Sequence, residues 1–279
     1  MRHGLTLPTG GPCADARFLV DLGVRAEASG WDGVFLEDYV VFQGDPTAPT
    51  CDPWVALAAL AVGTERIRLG TKVTPLARRR PWNVARQAVA IDQLSNGRMI
   101  LGAGLGDIGD HVVRDASFTH FGETGEARVR AAKLDEALEV IAGLWTGEPF
   151  SFSGVHFQVR EVTFRPRSVQ VPRIPIWIGG GYPIPGPTTR ALRWDGSMLY
   201  RAADGEDLEA ADVAWIRAAA PKPDYDISVR APRSGDRQAD AQRLGALEAA
   251  GATWTSAYVE VQDPAEMRRI VERGPARAS

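Results

Sequence analysis

Short apolar runs alternate along this chain with longer stretches whose apolar positions recur every three or four residues. The first pattern predicts strands and the second amphipathic helices. Residues 3–7 read as the first strand, and residues 14–28, closed by Gly30, as the first helix. Residues 33–38 form the second strand. Asp52-Pro53-Trp54 then reads as a helix start, with Asp52 as N-cap and Pro53 at the first helical position. Residues 67–74 are the third strand. A helix opened by Pro81 carries Val84, Ala88 and Ile91 on one face and stops at Ser95-Asn96-Gly97. Residues 98–103 are the fourth strand. The longest helix spans Ala127–Trp145, with Leu134, Leu138, Ile141 and Trp145 on its apolar face and Lys133, Asp135, Glu136 and Glu139 on its wet face.

The rhythm then breaks. Residues 150–164 alternate apolar and polar positions around Ser153-Gly154, which predicts a β-hairpin excursion. Residues 175–179 restore the strand pattern. Weaker strands follow at 196–200, 226–230 and 256–261, with helical segments near 187–194, 206–219, 236–250 and 263–273. Eight β/α pairs with one excursion between strands four and five predict a (β/α)₈ TIM barrel. The rival, a doubly wound sheet, would carry a GxGxxG turn after its first strand, and none is present. No linker, repeat or low-complexity tract divides residues 1–279, so the chain reads as one domain.

Composition narrows the partners. A net charge of −3 advertises neither nucleic acid nor an anionic membrane. The 32 basic residues include only three lysines, Lys72, Lys133 and Lys222. Cys13 and Cys51 form no disulfide framework, and the four histidines lack metal-ligand spacing, so no metal site is expected. The longest apolar run, residues 54–62, is far short of the ~20 residues that span a bilayer. The opening residues show no signal-peptide pattern, and a cytoplasmic location is the expectation.

In a barrel, chemistry gathers at the C-terminal strand ends. Glu37, Asp38 and Tyr39 follow strand two, and suit either proton exchange or simple capping of the next loop. Thr74 precedes Pro75 after strand three, where the plain reading is a turn. The following Arg78-Arg79-Arg80 reads as a solvated face, with a phosphate site as the alternative. After strand four come Gly102, Gly104, Gly106 and Asp107; glycine lets a ligand approach the backbone closely, although tight turns produce the same spacing. Gly179, Gly180 and Gly181 ahead of a helix suit a phosphate nest, with a bare turn as the bland reading. Trp54, Trp82, Trp145 and Trp177 read as core, and His120 as a loop histidine.

Several stretches taken together resemble the bacterial luciferase-like flavin-dependent oxidoreductases. They are Trp-Asp-Gly-Val-Phe-Leu-Glu-Asp at 31–38, Asp-Pro-Trp-Val-Ala-Leu-Ala-Ala at 52–59, Thr-Glu-Arg-Ile-Arg-Leu-Gly-Thr at 64–71 and Asn-Gly-Arg-Met-Ile-Leu-Gly-Ala-Gly at 96–104. Lys-Leu-Asp-Glu-Ala-Leu-Glu-Val at 133–140, Leu-Trp-Thr-Gly-Glu-Pro at 144–149 and Pro-Ile-Trp-Ile-Gly-Gly-Gly at 175–181 continue the series in the family's order. The resemblance implies a TIM-like barrel holding FMN, or the deazaflavin coenzyme F-420, at its C-terminal mouth. It implies a bulge after strand three, often with a non-proline cis peptide, backing the ring system; that maps onto Lys72, Val73 and Thr74. It places the cofactor phosphate at Gly179, Gly180 and Gly181, and the ring edge near Gly104, Gly106 and Asp107.

The family commonly follows the strand-two Asp with His, where this chain has Tyr39. A phenol with a pKa near 10 donates a hydrogen bond but is a poor base at neutral pH. Asp38, Tyr39 and Asp107 are therefore the expected catalytic residues. The first expectation is a monooxygenase using reduced FMN and oxygen on a small organic substrate, with a flavin reductase as supplier. The alternatives are an F-420-dependent reductase or dehydrogenase and a catalytically silent flavin-binding barrel. A homodimer is the expected assembly.

Overall fold

The computed structural model describes residues 1–106, 112–202, 207–232, 236–259 and 261–276, with the backbone alone for residues 112–115 and 237. Eight parallel strands close into a ring: β1 (Arg2–Leu7), β2 (Gly33–Leu36), β3 (Arg68–Thr71), β5 (Met99–Gly104), β8 (Ile176–Tyr182), β9 (Gly196–Arg201), β10 (Asp226–Arg230) and β11 (Trp254–Tyr258). Pairing of β3 with β5 and of β1 with β11 completes the closure. The (β/α)₈ barrel is thus the architecture, and the doubly wound alternative falls away because the sheet has no open edge at those strands.

The described helices are α1 (Ala16–Ala28), α2 (Pro53–Gly63), α3 (Pro81–Leu94), α4 (Val112–Thr119), α5 (Ala127–Trp145), α6 (Pro185–Leu192), α7 (Ala210–Ala219) and α8 (Arg237–Ala249) between strands, and α9 (Pro264–Glu272) after the last. Their starts follow from local chemistry. Asp52 accepts from the N–H groups of Trp54 and Val55 at 2.8 and 3.1 Å, with Pro53 where a missing N–H costs nothing. Asp263 and Pro264 repeat the device at α9. The sequence pattern missed α4 altogether.

Strand three is where pattern and structure part. The run read as one strand over 67–74 is β3 followed by a separate short strand, β4 (Thr74–Pro75). Gly70 pairs with Ile100 and Thr74 with Ala103, so this side advances four residues while β5 advances three. That one extra residue is a bulge, and the Lys72–Val73 peptide within it is cis.

The lower barrel is filled by Phe35, Ile100, Trp177, Met198 and Trp254. Phe35 and Trp177 stack at 5.6 Å between centroids, and both meet Trp254 edge-on. Glycine makes the room: a Cβ on Gly196 would come within 2.6 Å of Trp177.

The excursion is an antiparallel hairpin, β6 (Pro149–Ser153) and β7 (Gln158–Thr163), outside the barrel sheet. The wet face of α5 turns out to hold neighbouring elements. Glu136 accepts from the N–H groups of Val155, His156 and Phe157 at 2.8–2.9 Å and so fixes the hairpin turn. Asp135 takes a two-point grip from Arg190 of α6. No described helix is long and apolar enough to cross a membrane.

Candidate active site

The C-terminal ends of the strands enclose a cavity of about 310 Å³. Asp38, Tyr39, Lys72, Val73, Gly104, Gly106, Gly179, Gly180 and Gly181 all line it, so residues from four strand ends meet as the sequence reading required. Thr74 does not line it; the side chain is buried and its hydroxyl has no partner among the described residues. Asp107 lies outside the described residues.

Position and role separate at Asp38. Its side chain is 0% exposed and is clasped by two arginines. Arg79 meets both carboxylate oxygens, at 2.9 Å through Nε and 2.7 Å through Nη2, while Arg78 donates to Oδ1 at 2.8 Å and to the Asp38 carbonyl. Burial alone would raise the carboxyl's pKa, but the charges of Arg79 and Arg78 and their hydrogen bonds outweigh it and hold the group below the usual carboxylate range. Asp38 is therefore an ionised anchor whose acceptor positions face arginine. The arginine run is corrected as well: Arg78 and Arg79 are neither a solvated face nor a free phosphate site.

The segment after Asp38 is tied down from the other side by α4. Ser117 Oγ accepts from the N–H groups of Val40 and Val41 at 3.1 and 3.0 Å and donates to the Val41 carbonyl. Tyr39 thus sits between two clamps, with its ring edge-on to Phe42 at 6.3 Å. Phe118, next to Ser117, lines the cavity and stacks on the Arg130 guanidinium at 3.5 Å.

The glycines act differently from the sequence reading. A Cβ on Gly104 or Gly179 would come within 2.7 or 2.8 Å of the Val73 side chain. These two glycines therefore seat Val73 from both sides, and Val73 in turn forms part of the cavity wall. A Cβ on Gly180 would meet Pro187 at 2.7 Å, which lets α6 approach the strand. Strand β8 outruns β5, whose last partner on it is Ile178, while pairing with β9 continues to Tyr182. The backbone of the three glycines consequently borders the cavity, as a flat or anionic ligand needs. The α6 N-terminus adds little to an anion site, because Pro185 and Pro187 carry no N–H.

Lys72 leaves the bulge and crosses the mouth. Its Nζ lies 3.5 Å from Ser228 Oγ on β10 and 5.5 Å from the Tyr258 ring on β11. Burial, then the Arg230 charge, lower its pKa to about 7, with Asp207 opposing.

Sequence reasoning missed Ser117, Phe118, Met198, Tyr200 and Tyr258 as lining residues. Tyr258 was legible in principle. Placing the last strand at 256–261 hid it mid-strand, whereas β11 ends on it.

These residues sit in a chain with clear relatives. The luciferase-like monooxygenase family model matches residues 1–264. An F420-dependent glucose-6-phosphate dehydrogenase of Microbacterium testaceum is 30% identical over 272 residues, covering 92% of this chain and 76% of that protein. Among solved structures, the coenzyme F420 dependent tetrahydromethanopterin reductase of Methanopyrus kandleri aligns with a TM-score of 0.73 at 16% identity, over 98% of this chain and 97% of that one. The oxygenating constituent of 3,6-diketocamphane monooxygenase of Pseudomonas putida, solved with FMN, aligns with a TM-score of 0.68 at 16% identity, over 100% and 98%.

Proposed function

We propose, from the premise that this chain belongs to the luciferase-like monooxygenase family and is an oxidoreductase, that it is a deazaflavin (F420)-dependent dehydrogenase or reductase of a small organic molecule. The observation that carries the reading is the 30% identity, across 92% of this chain, with an F420-dependent glucose-6-phosphate dehydrogenase. Use of reduced FMN and oxygen, the first expectation from the sequence, ranks behind it. The FMN-bound neighbour, at 16% identity, speaks for the fold alone.

The residues present fit such a cofactor. Val73, seated between Gly104 and Gly179, offers an apolar wall to a ring system, and the backbone of Gly179, Gly180 and Gly181 borders the cavity where a polar tail would lie. The cofactor would supply hydride uptake and return. The protein's own work is to bind, orient and manage protons. Val73, Gly104 and Gly106 would hold the ring, and Gly179, Gly180 and Gly181 the anionic end. The two clamps on either side of Tyr39 fix its backbone, so its phenol can donate a hydrogen bond to a substrate oxygen at little cost in ordering.

The test is an absorbance titration of the purified protein with F420 and, separately, FMN, followed by an anaerobic assay of alcohols and sugar phosphates. Selective uptake of F420, with its absorbance bleached by a substrate, is the expected result. Tight FMN binding with oxygen consumption would overturn the reading.

A further inference from the structure

The cavity is bordered by an amine, Lys72 Nζ, that makes no ion pair among the described residues. Lys72 stands at the end of β3, and β10 is four places away around the ring in either direction, so the side chain reaches to the opposite wall. An ammonium has three protons to donate. Here it finds one hydroxyl, Ser228 Oγ, at the long distance of 3.5 Å, and the face of Tyr258. Among the described residues no carboxylate pairs with it. Asp207 is already shared between Arg230 and Arg243 at 4.0 and 3.9 Å. The other two lysines do have carboxylate partners, Lys133 with Glu123 and Lys222 with Asp195. With one long hydrogen bond and one ring face among the described residues, the amine has protons left to offer a ligand's oxygen.

The proposed reaction also needs a proton carrier. When an alcohol carbon gives up a hydride, carrying two electrons to the deazaflavin, the hydroxyl proton must leave for the product to be a neutral carbonyl. Asp38 is closed by its arginines, and Tyr39 is a phenol where the family's histidine would be. We propose that Lys72 Nζ is the catalytic acid–base group, taking the substrate hydroxyl proton during oxidation and returning it to the carbonyl oxygen during reduction. The inference rests on the deazaflavin reading. The groups facing the amine are consistent with it. Arg230 on β10 repels a positive charge, Tyr258 on β11 contributes a ring face, and Glu37 and Tyr39 line the same cavity from the β2 side. The net effect of burial and Arg230 is an amine that exchanges its proton near neutrality, the range where acid–base catalysis works best.

Two measurements test this. The first needs no cofactor: acetic anhydride labelling against pH, read by mass spectrometry, resolves all three lysines. Lys72 should gain reactivity with a midpoint near 7, well below Lys133 and Lys222; a midpoint near 10 would overturn the proposal. The second compares Lys72→Met and Lys72→Arg, with Lys72→Gln in reserve should the Met variant fail to fold. Both should bind F420 within about threefold of the parent, lose roughly a hundred- to ten-thousandfold in kcat, and lose the acidic limb of the pH profile. Lys72→Arg turning over like the parent would make the residue a fixed-charge anchor and overturn the proposal. A parent that takes up no F420 defeats the function reading and the catalytic assignment with it. Uptake with unchanged variants defeats Lys72 alone.

Discussion

Replacing Asp38 with Asn keeps the shape of the side chain and removes its charge, and the structure turns that change into a stability measurement. The carboxylate is fully buried, and Arg78 and Arg79 beside it are 6% and 18% exposed. Removing the shared anion leaves two largely buried guanidinium groups facing each other, with Asp52, 3.8 Å from Arg79, as the carboxylate still beside them. Breaking a buried ion pair from one side costs about 3–5 kcal/mol. For 279 residues, an unfolding entropy of about 2.1 cal/mol/K per residue makes each kcal/mol worth roughly 1.7 °C, so Tm should fall by about 5–9 °C at pH 7. Differential scanning calorimetry gives the shift, and a urea titration should show a lower midpoint. The sign of the pH dependence follows from the depressed carboxyl. Its contribution is complete above the unfolded value of about 3.9 and is lost as pH falls through the lower folded value. The gap between parent and variant should therefore be full at pH 7 and close in acid. In an Arg79→Gln background the same substitution should cost less, because one stranded charge is already gone. A Tm within 1 °C of the parent together with a large loss of kcat would refute the anchor role and restore Asp38 as a group acting on substrate.

Two further outcomes follow from the packing. Gly179→Ala puts a methyl against Val73, which is already at contact distance, so Val73 must move into the cavity. Overpacking of this kind costs about 1–3 kcal/mol, and F420 affinity should drop at least about tenfold while the circular dichroism spectrum is unchanged; unaltered affinity would remove Val73 from the cofactor wall. Glu136→Gln replaces a charged acceptor of three N–H groups by a neutral one, so amide exchange at residues 155–157 should rise roughly tenfold with barrel amides unaffected. The N–H groups outweigh burial and depress the Glu136 pKa, so in the parent this protection should be full above about 4.3 and weaken as pH falls through the folded value.

Much of this protein is determined by its sequence read locally. Period-2 and period-3.6 patterns placed all eight barrel strands, and the Asp52-Pro53 pair marked the start of α2, because those signals act over a few residues. The luciferase-like motifs located the mouth, and nine of the eleven residues expected to be catalytic or to hold the cofactor line one cavity. What each residue does there was decided by groups distant in the chain. Asp38 was equally consistent with catalysis until Arg78 and Arg79, forty places on, closed over it. The glycines signalled close approach, but only the folded barrel shows that Gly104 and Gly179 are approached by Val73 and Gly180 by Pro187. Lys72 read as part of a ring-supporting bulge; its amine acquires its character from Ser228, Arg230 and Tyr258 on the opposite wall. Charge, burial and hydrogen bonding depend on which groups are near in space, and barrel closure brings together groups whose separation in the sequence carries no record of the meeting.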